Sequence, residues 1–196
     1  RFLIFKNELK HIQSLTLSQL KQFIDIIKFL YDSHIIHRDI RPQNLMLDYG
    51  EQHLKLIDFG FAFKYEMFET KKKLPIAGAV TYASYELLTV YSESISNEQD
   101  SACYDYERTF DLKCALNVII HMINENVQVQ VNAIEQLPPS LEKVSRSFVL
   151  WKNLEQKNLI YSNLLYSINN LSQLSSFDDF ENQLDELYCL RTNISI

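Results

Sequence analysis

A mainly α-helical domain carrying one small β hairpin is what this chain of 196 residues predicts, and three stretches predict it. Between residues 17 and 33, Leu17, Leu20, Phe23, Ile24, Ile27, Leu30 and Tyr31 recur at the spacing that lays one apolar stripe along a helix. From 110 to 123 nearly every side chain is apolar, with Asp111, Lys113, Asn117 and His121 the exceptions, which implies a helix buried on most sides. Between the two, Leu45-Met46-Leu47 and Leu54-Lys55-Leu56-Ile57 flank Asp48-Tyr49-Gly50, two short strands around a turn.

Each element has its own signals. Thr16 and Gln19 form a capping box ahead of the first helix, and Leu15 with Leu20 a hydrophobic staple. That helix leads straight into a loop carrying His37, and the hairpin ends at Asp58. Residues 61 to 86 mix aromatics with Lys71-Lys72-Lys73 and show little periodicity, which reads as an extended, mobile segment closing at Tyr82-Ala83-Ser84-Tyr85-Glu86. Residues 92 to 104 are polar and loop-like, and 110 to 123 form the central post. Pro138-Pro139 breaks the chain, after which two helices are expected, 141 to 172 with interruptions and 177 to 190. No internal repeat is present, and one compact unit covering 1 to 196 is expected.

A net charge of −6 leaves no basic footprint for nucleic acid or an anionic membrane, and the lysine run at 71 to 73 is short enough to be a solvated loop. No apolar run approaches the roughly 18 residues that span a bilayer, and no signal-peptide pattern opens the chain. Cys103, Cys114 and Cys189 are scattered and odd in number, as free thiols in a reducing compartment would be, so an intracellular, cytoplasmic protein is expected. The first residue is arginine rather than methionine, which suggests a fragment or a processed product.

Two motifs carry the chemistry: Ile36-His37-Arg38-Asp39-Ile40-Arg41-Pro42-Gln43-Asn44, and then Leu56-Ile57-Asp58-Phe59-Gly60. Taken singly, an aspartate is usually a cap or a surface charge and a histidine a satisfied core imidazole. In this order, each after the expected helix or strand, they are hard to obtain by coincidence. Asp39, Asn44 and Asp58 are oxygen-bearing groups of the kind that can orient a hydroxyl or hold magnesium.

The pair of motifs resembles the catalytic loop and metal-binding motif of protein kinases. The resemblance implies that Asp39 orients the substrate hydroxyl, that Asn44 and Asp58 hold Mg2+ on the phosphates of ATP, and that Arg41 clamps a phosphate. It further implies that Gly60 permits the backbone turn beside Asp58, that His37 and Phe59 pack the motifs together, and that Met46 lies beneath the adenine. Downstream, Gly78, Tyr82 and Glu86 match the family's substrate-positioning segment, whose Tyr-Ala-Ser ending is similar to the casein-kinase-like branch. Asp111-Leu112 then begins the buried helix, with Asp111 bracing the backbone of His37 and Arg38. In regulated kinases Arg38 would pair with a phosphorylated segment, for which Thr70 and Thr81 are the nearest candidates.

The departures are informative. Arg41 stands in place of the usual lysine, keeping the charge on a planar fork, and Pro42 gives the loop a serine/threonine-type look. The usual proline before Glu86 is missing, Lys113 replaces the usual tryptophan, and Arg146 and Arg191 are available as partners for Glu86. With Gly50, Gly60 and Gly78 its only glycines, the chain cannot house a glycine-rich phosphate loop, and Lys6 is no substitute for the strand lysine. The resemblance is therefore to the C-terminal lobe alone, close over residues 1 to 125 and loose over 126 to 196. Losing one preorganised donor costs on the order of 3 kcal/mol, about a hundredfold in rate, so losing loop and lysine together costs about ten-thousandfold. The expected function is ATP-dependent transfer to serine or threonine of a protein substrate, inactive without an N-lobe from upstream sequence. The alternatives are a pseudokinase scaffold, in which ATP and magnesium give no stabilisation, and a kinase-fold phosphotransferase for small molecules.

Overall fold

The computed structural model describes residues 9–48, 53–98, 101–171 and 175–189. Along the chain run β1 (Leu9–His11), α1 (Leu17–Asp32), β2 (Ile35–Ile36), β3 (Leu45–Asp48), β4 (Leu54–Leu56), β5 (Phe63–Lys64) and β6 (Lys71–Pro75). They are followed by α2 (Tyr85–Ser96), β7 (Cys103–Glu107), α3 (Phe110–Ile123), α4 (Glu125–Glu135), α5 (Leu141–Lys157), α6 (Leu159–Asn169) and α7 (Ser175–Cys189). The chain is thus mainly helical with small sheets.

Helix α1 begins at the capping box: the Gln19 N–H donates to Thr16 Oγ1 at 3.3 Å, and the Thr16 N–H to Gln19 Oε1 at 2.9 Å. Leu20, Phe23, Ile24, Ile27 and Leu30 are the buried stripe of that helix. Helix α3 is the post around which the rest packs, with every residue from Phe110 to Met122 buried, including its four polar ones. Strands β3 and β4 form the expected hairpin, while its turn at Tyr49 and Gly50 lies outside the described residues, as do Lys6 and Arg191. Strand β1 adds to the other edge, giving an antiparallel sheet of order β1-β3-β4.

Four expectations are corrected. Residues 61 to 86 contain two strands rather than one mobile stretch: β5 pairs with β2, and β6 pairs with β7 over five residues, from Lys71 opposite Glu107 to Pro75 opposite Cys103. The lysine run is therefore strand, with side chains alternating between more and less exposed positions, and Lys71 Nζ lies 2.7 Å from the Glu107 carboxylate. Residues 92 to 104 likewise hold the end of α2 and the start of β7, local preference having yielded to pairing. Helix α4, which was not expected, buries just Val127, Val131 and Ile134 among glutamines and asparagines, too sparse a stripe to read in sequence. Asn158 is the interruption between α5 and α6, ending one helix and N-capping the next.

Candidate active site

Strand pairing brings the two motifs side by side. Ile35 and Ile36, just before His37, lie opposite Lys64 and Phe63, just after Gly60. The Ile57 N–H also donates to the Asn44 carbonyl at 3.0 Å, so the second motif starts against the end of the first.

Asp39 is 6% exposed, and both of its carboxylate oxygens are held. Oδ1 accepts from the Ala79 N–H at 2.7 Å, and Oδ2 from Asn44 Nδ2 at 2.9 Å. Asn44 Nδ2 donates also to the Asp39 carbonyl at 2.8 Å. A nitrogen facing two acceptors fixes the amide, turning its oxygen away from Asp39. Arg41 Nε lies 3.8 Å from Asp39 Oδ2, an ion pair too long to be a hydrogen bond.

His37 is fully buried. Its Nδ1 accepts from the Asp39 N–H at 3.3 Å, and its Nε2 is 3.0 Å from the Ile57 carbonyl, which can only accept. Those partners assign the tautomer protonated on Nε2. The ring meets Phe59 edge to face at 4.7 Å. Below, Asp111 Oδ2 accepts from the His37 N–H at 2.5 Å and Oδ1 from the Arg38 N–H at 3.1 Å. Burial pushes the Asp111 carboxyl above its ordinary value, against those two N–H groups, which favour the charge.

Asp58, not Gly60, takes the left-handed backbone at this turn, with φ 64° and ψ 68°. Gly60 serves instead through space: a Cβ there would come within 3.2 Å of Asp58 Oδ1, which accepts from the Gly60 N–H at 3.4 Å. Asp58 is exposed, and Phe59 and Phe61 beside it are 48% and 47% exposed. Met46 is buried on β3, opposite His11 and Lys55.

The segment after Gly78 is fastened from several sides. Gly78 has φ 83°, and a Cβ there would lie 2.1 Å from the Arg38 carbonyl oxygen, so glycine is required. Trp151 Nε1 donates to the Thr81 carbonyl at 2.8 Å, and Asn117 Nδ2 to those of Tyr82 and Ala83 at 3.1 and 3.2 Å. Thr81 is itself buried at 3% exposure, which removes it as a phosphorylation candidate; Thr70 is exposed. Ser84 N-caps α2 by accepting from the Leu87 N–H, which starts the helix where Tyr85 takes the first-turn position that suits proline. Glu86 pairs with Lys113 at 2.8 Å rather than with an arginine, and Arg146 pairs instead with Glu142. Burial alone would raise the Glu86 carboxyl, but the charge and hydrogen bond of Lys113 outweigh it and hold the group below its ordinary 4.5. Arg41, Gln43, Ala79, Tyr91, Glu135 and Lys143 line a groove of about 500 Å³.

A family model described as "Protein kinase domain" matches residues 6–104, just over half of the chain. The chain belongs to the protein kinase family. It is similar to serine/threonine-protein kinase chk-1 of Caenorhabditis elegans, 41% identical over 68 residues, which cover 34% of this chain and 13% of that one. It is 36% identical over 74 residues to an Aurora kinase of Debaryomyces hansenii, covering 38% and 16%. With serine/threonine-protein kinase PKH2 of Saccharomyces cerevisiae it shares 43% identity over 68 residues, covering 35% and 6%. The matched region thus spans less than a fifth of the length of each of these kinases. Among the described residues, no helix is long and apolar enough to cross a membrane.

Sequence reasoning missed the Ala79 N–H, which carries no side-chain signal, and Asn117 and Trp151, whose roles depend on distant carbonyls. Lys113 could have been found: a lysine in a helix expected to be buried on most sides calls for an anion on a neighbouring element.

Proposed function

We propose that this chain is the C-terminal lobe of a serine/threonine-type protein kinase whose N-terminal lobe comes from upstream sequence. The observation that carries the reading is the buried Asp39, its carboxylate aimed by the Asn44 amide and the Ala79 N–H. In this role Asp39 orients the attacking hydroxyl and accepts its proton as the phosphoryl group leaves ATP, while Arg41 faces the transferred phosphate. Asn44 and Asp58 fit magnesium, since one offers an amide oxygen turned away from Asp39 and the other an exposed carboxylate. Among the described residues no group of three or more His, Cys, Asp or Glu side chains is assembled for a metal. Magnesium takes one or two protein oxygens and completes its shell with phosphates and water. Magnesium, when bound, neutralises charge on the phosphates. Met46 supports the adenine from below, His37 and Phe59 hold the two motifs in contact, and Asp111 fixes the loop backbone. Gly60 leaves space for the Asp58 carboxylate. The groove beside Arg41 receives the protein substrate.

The half-exposed Phe59 and Phe61 favour one further reading, a pseudokinase scaffold that uses this apolar face to bind partners. A thermal-shift titration with ATP and magnesium separates them, run on this chain and on the full-length gene product, each with Asp58→Ala as control. The kinase reading expects stabilisation of the full-length protein that the variant loses, with phosphate transferred to serine or threonine of a protein substrate. No stabilisation in the full-length protein would leave the scaffold.

A further inference from the structure

We infer that Tyr106 is a positioning residue of this site and that through it the segment from Gly60 to Gly78 is held in place without a phosphate. The inference rests on the kinase reading above, in which Arg38 is the group a phosphorylated residue would engage. Here the guanidinium already has partners. Its carbon lies 4.4 Å from the centroid of the Tyr106 ring, and its terminal nitrogens donate to the carbonyls of Phe61 and Pro75, at either end of the segment. Tyr106 is fully buried, and Phe110 and Tyr104 meet its ring edge to face at 4.8 and 5.1 Å, so the ring cannot swing away from Arg38 without opening the core.

The same residue reaches the segment by three other routes. Its hydroxyl accepts from the Ala77 N–H at 3.2 Å, its carbonyl from the Tyr65 hydroxyl at 2.8 Å, and its backbone lies opposite Lys72 in the β6–β7 ladder. The Ile76 N–H continues that ladder by donating to the Ala102 carbonyl at 2.8 Å. Ala77 is two residues from Ala79, whose N–H holds Asp39. Between them Gly78 sits so close to the Arg38 carbonyl that displacing Ala77 must disturb the loop. Tyr106 therefore supplies from the protein's own core what a phosphate on an exposed threonine supplies by charge: it fixes Arg38 and the segment relative to Asp39.

Amide hydrogen exchange on the 196-residue chain tests this, using the protein as purified, after phosphatase treatment, and as Thr70→Ala, Tyr106→Phe and Tyr106→Leu. Dephosphorylation and Thr70→Ala are expected to leave exchange at Ala77 and Ala79 within about twofold. Tyr106→Phe keeps the ring against Arg38 and is expected to speed exchange at Ala77 about tenfold, with β6 still protected. Tyr106→Leu is expected to speed Ala77, Ala79 and β6 together by tenfold or more, with α6 unchanged. Loosening of the segment by phosphatase or by Thr70→Ala, or an unmoved Ala79 in Tyr106→Leu, overturns the inference. If Tyr106→Leu loses protection in α6 as well, the phosphatase arm and the Ala77 response of Tyr106→Phe decide. Phosphoryl transfer by the full-length protein is followed in parallel, where Tyr106→Phe should lower kcat and leave KM for ATP unchanged. Absent transfer with the exchange pattern intact removes the kinase reading and leaves the phosphate-free hold; active transfer with the opposite exchange pattern removes only the inference.

Discussion

Lys113 is a buried ammonium, its side chain 7% exposed, and Glu86 is its anion at 2.8 Å with a side chain 30% exposed. That asymmetry decides what each deletion does. In Glu86→Ala the lysine stays in the core with its counter-charge gone, the situation that makes breaking a buried pair cost about 3–5 kcal/mol. Because one partner is partly open to water, about 2–4 kcal/mol is the expected loss. In Lys113→Met the remaining carboxylate can turn to solvent and the new side chain packs with its apolar neighbours on α3, so about 1 kcal/mol is expected. The double variant should then be more stable than Glu86→Ala alone, since methionine removes the stranded charge. Urea unfolding followed by circular dichroism measures all four proteins. For a chain of this size each kcal/mol moves Tm by roughly 2–4 °C, so Glu86→Ala should melt roughly 4–16 °C lower. Additive single effects, or a Lys113→Met cost as large as that of Glu86→Ala, would refute the reading of Glu86 as the counter-charge that the buried Lys113 depends on.

Three other outcomes follow from the geometry. Gly78→Ala should cost roughly 2–5 kcal/mol, combining a left-handed backbone with a Cβ 2.1 Å from the Arg38 oxygen, and should speed exchange of the Ala79 amide more than that of α6. Asp111→Asn keeps an acceptor for one of the two backbone donors but turns an amide N–H toward the other, so a loss of about 1–3 kcal/mol is expected, with exchange of the His37 and Arg38 amides rising first. Burial holds the His121 imidazole below its ordinary 6.5, against the opposing charge of Glu135. The unfolded chain therefore takes up a proton before the folded one, so this contribution is fully present above about pH 6.5 and is lost as pH falls below it. His121→Gln should flatten the decline in urea midpoint between pH 6.5 and 5, and an unchanged slope would count against it.

How much of this was legible in the sequence depended on whether a residue's contribution sits in its own side chain and close by along the chain. The Thr16–Gln19 cap and the buried 110–123 helix are local patterns with a fixed period, and both are present. Helix α4 and strand β7 are not: one has three spaced apolar residues, and the other is a strand because β6 lies beside it.

The site divides along the same line. His37, Asp39, Asn44 and Phe59 lie close together because two strands of two residues each bring their motifs into register, and the motifs are short enough to be read whole. Ala79 has nothing to recommend it as a letter, since its part is played by a backbone N–H that any residue but proline would supply. What fixes that N–H on Asp39 is the glycine before it, the only one of the described glycines with a left-handed φ, pressed against the Arg38 carbonyl. A Gly78 in a sequence marks where the backbone must pass closely, but not what it passes; the partner is set by α3, through Asp111, from the far side of the same loop. Position at this site is therefore carried by contacts between elements, while chemistry is carried by side chains, and a single sequence states the second far more directly than the first.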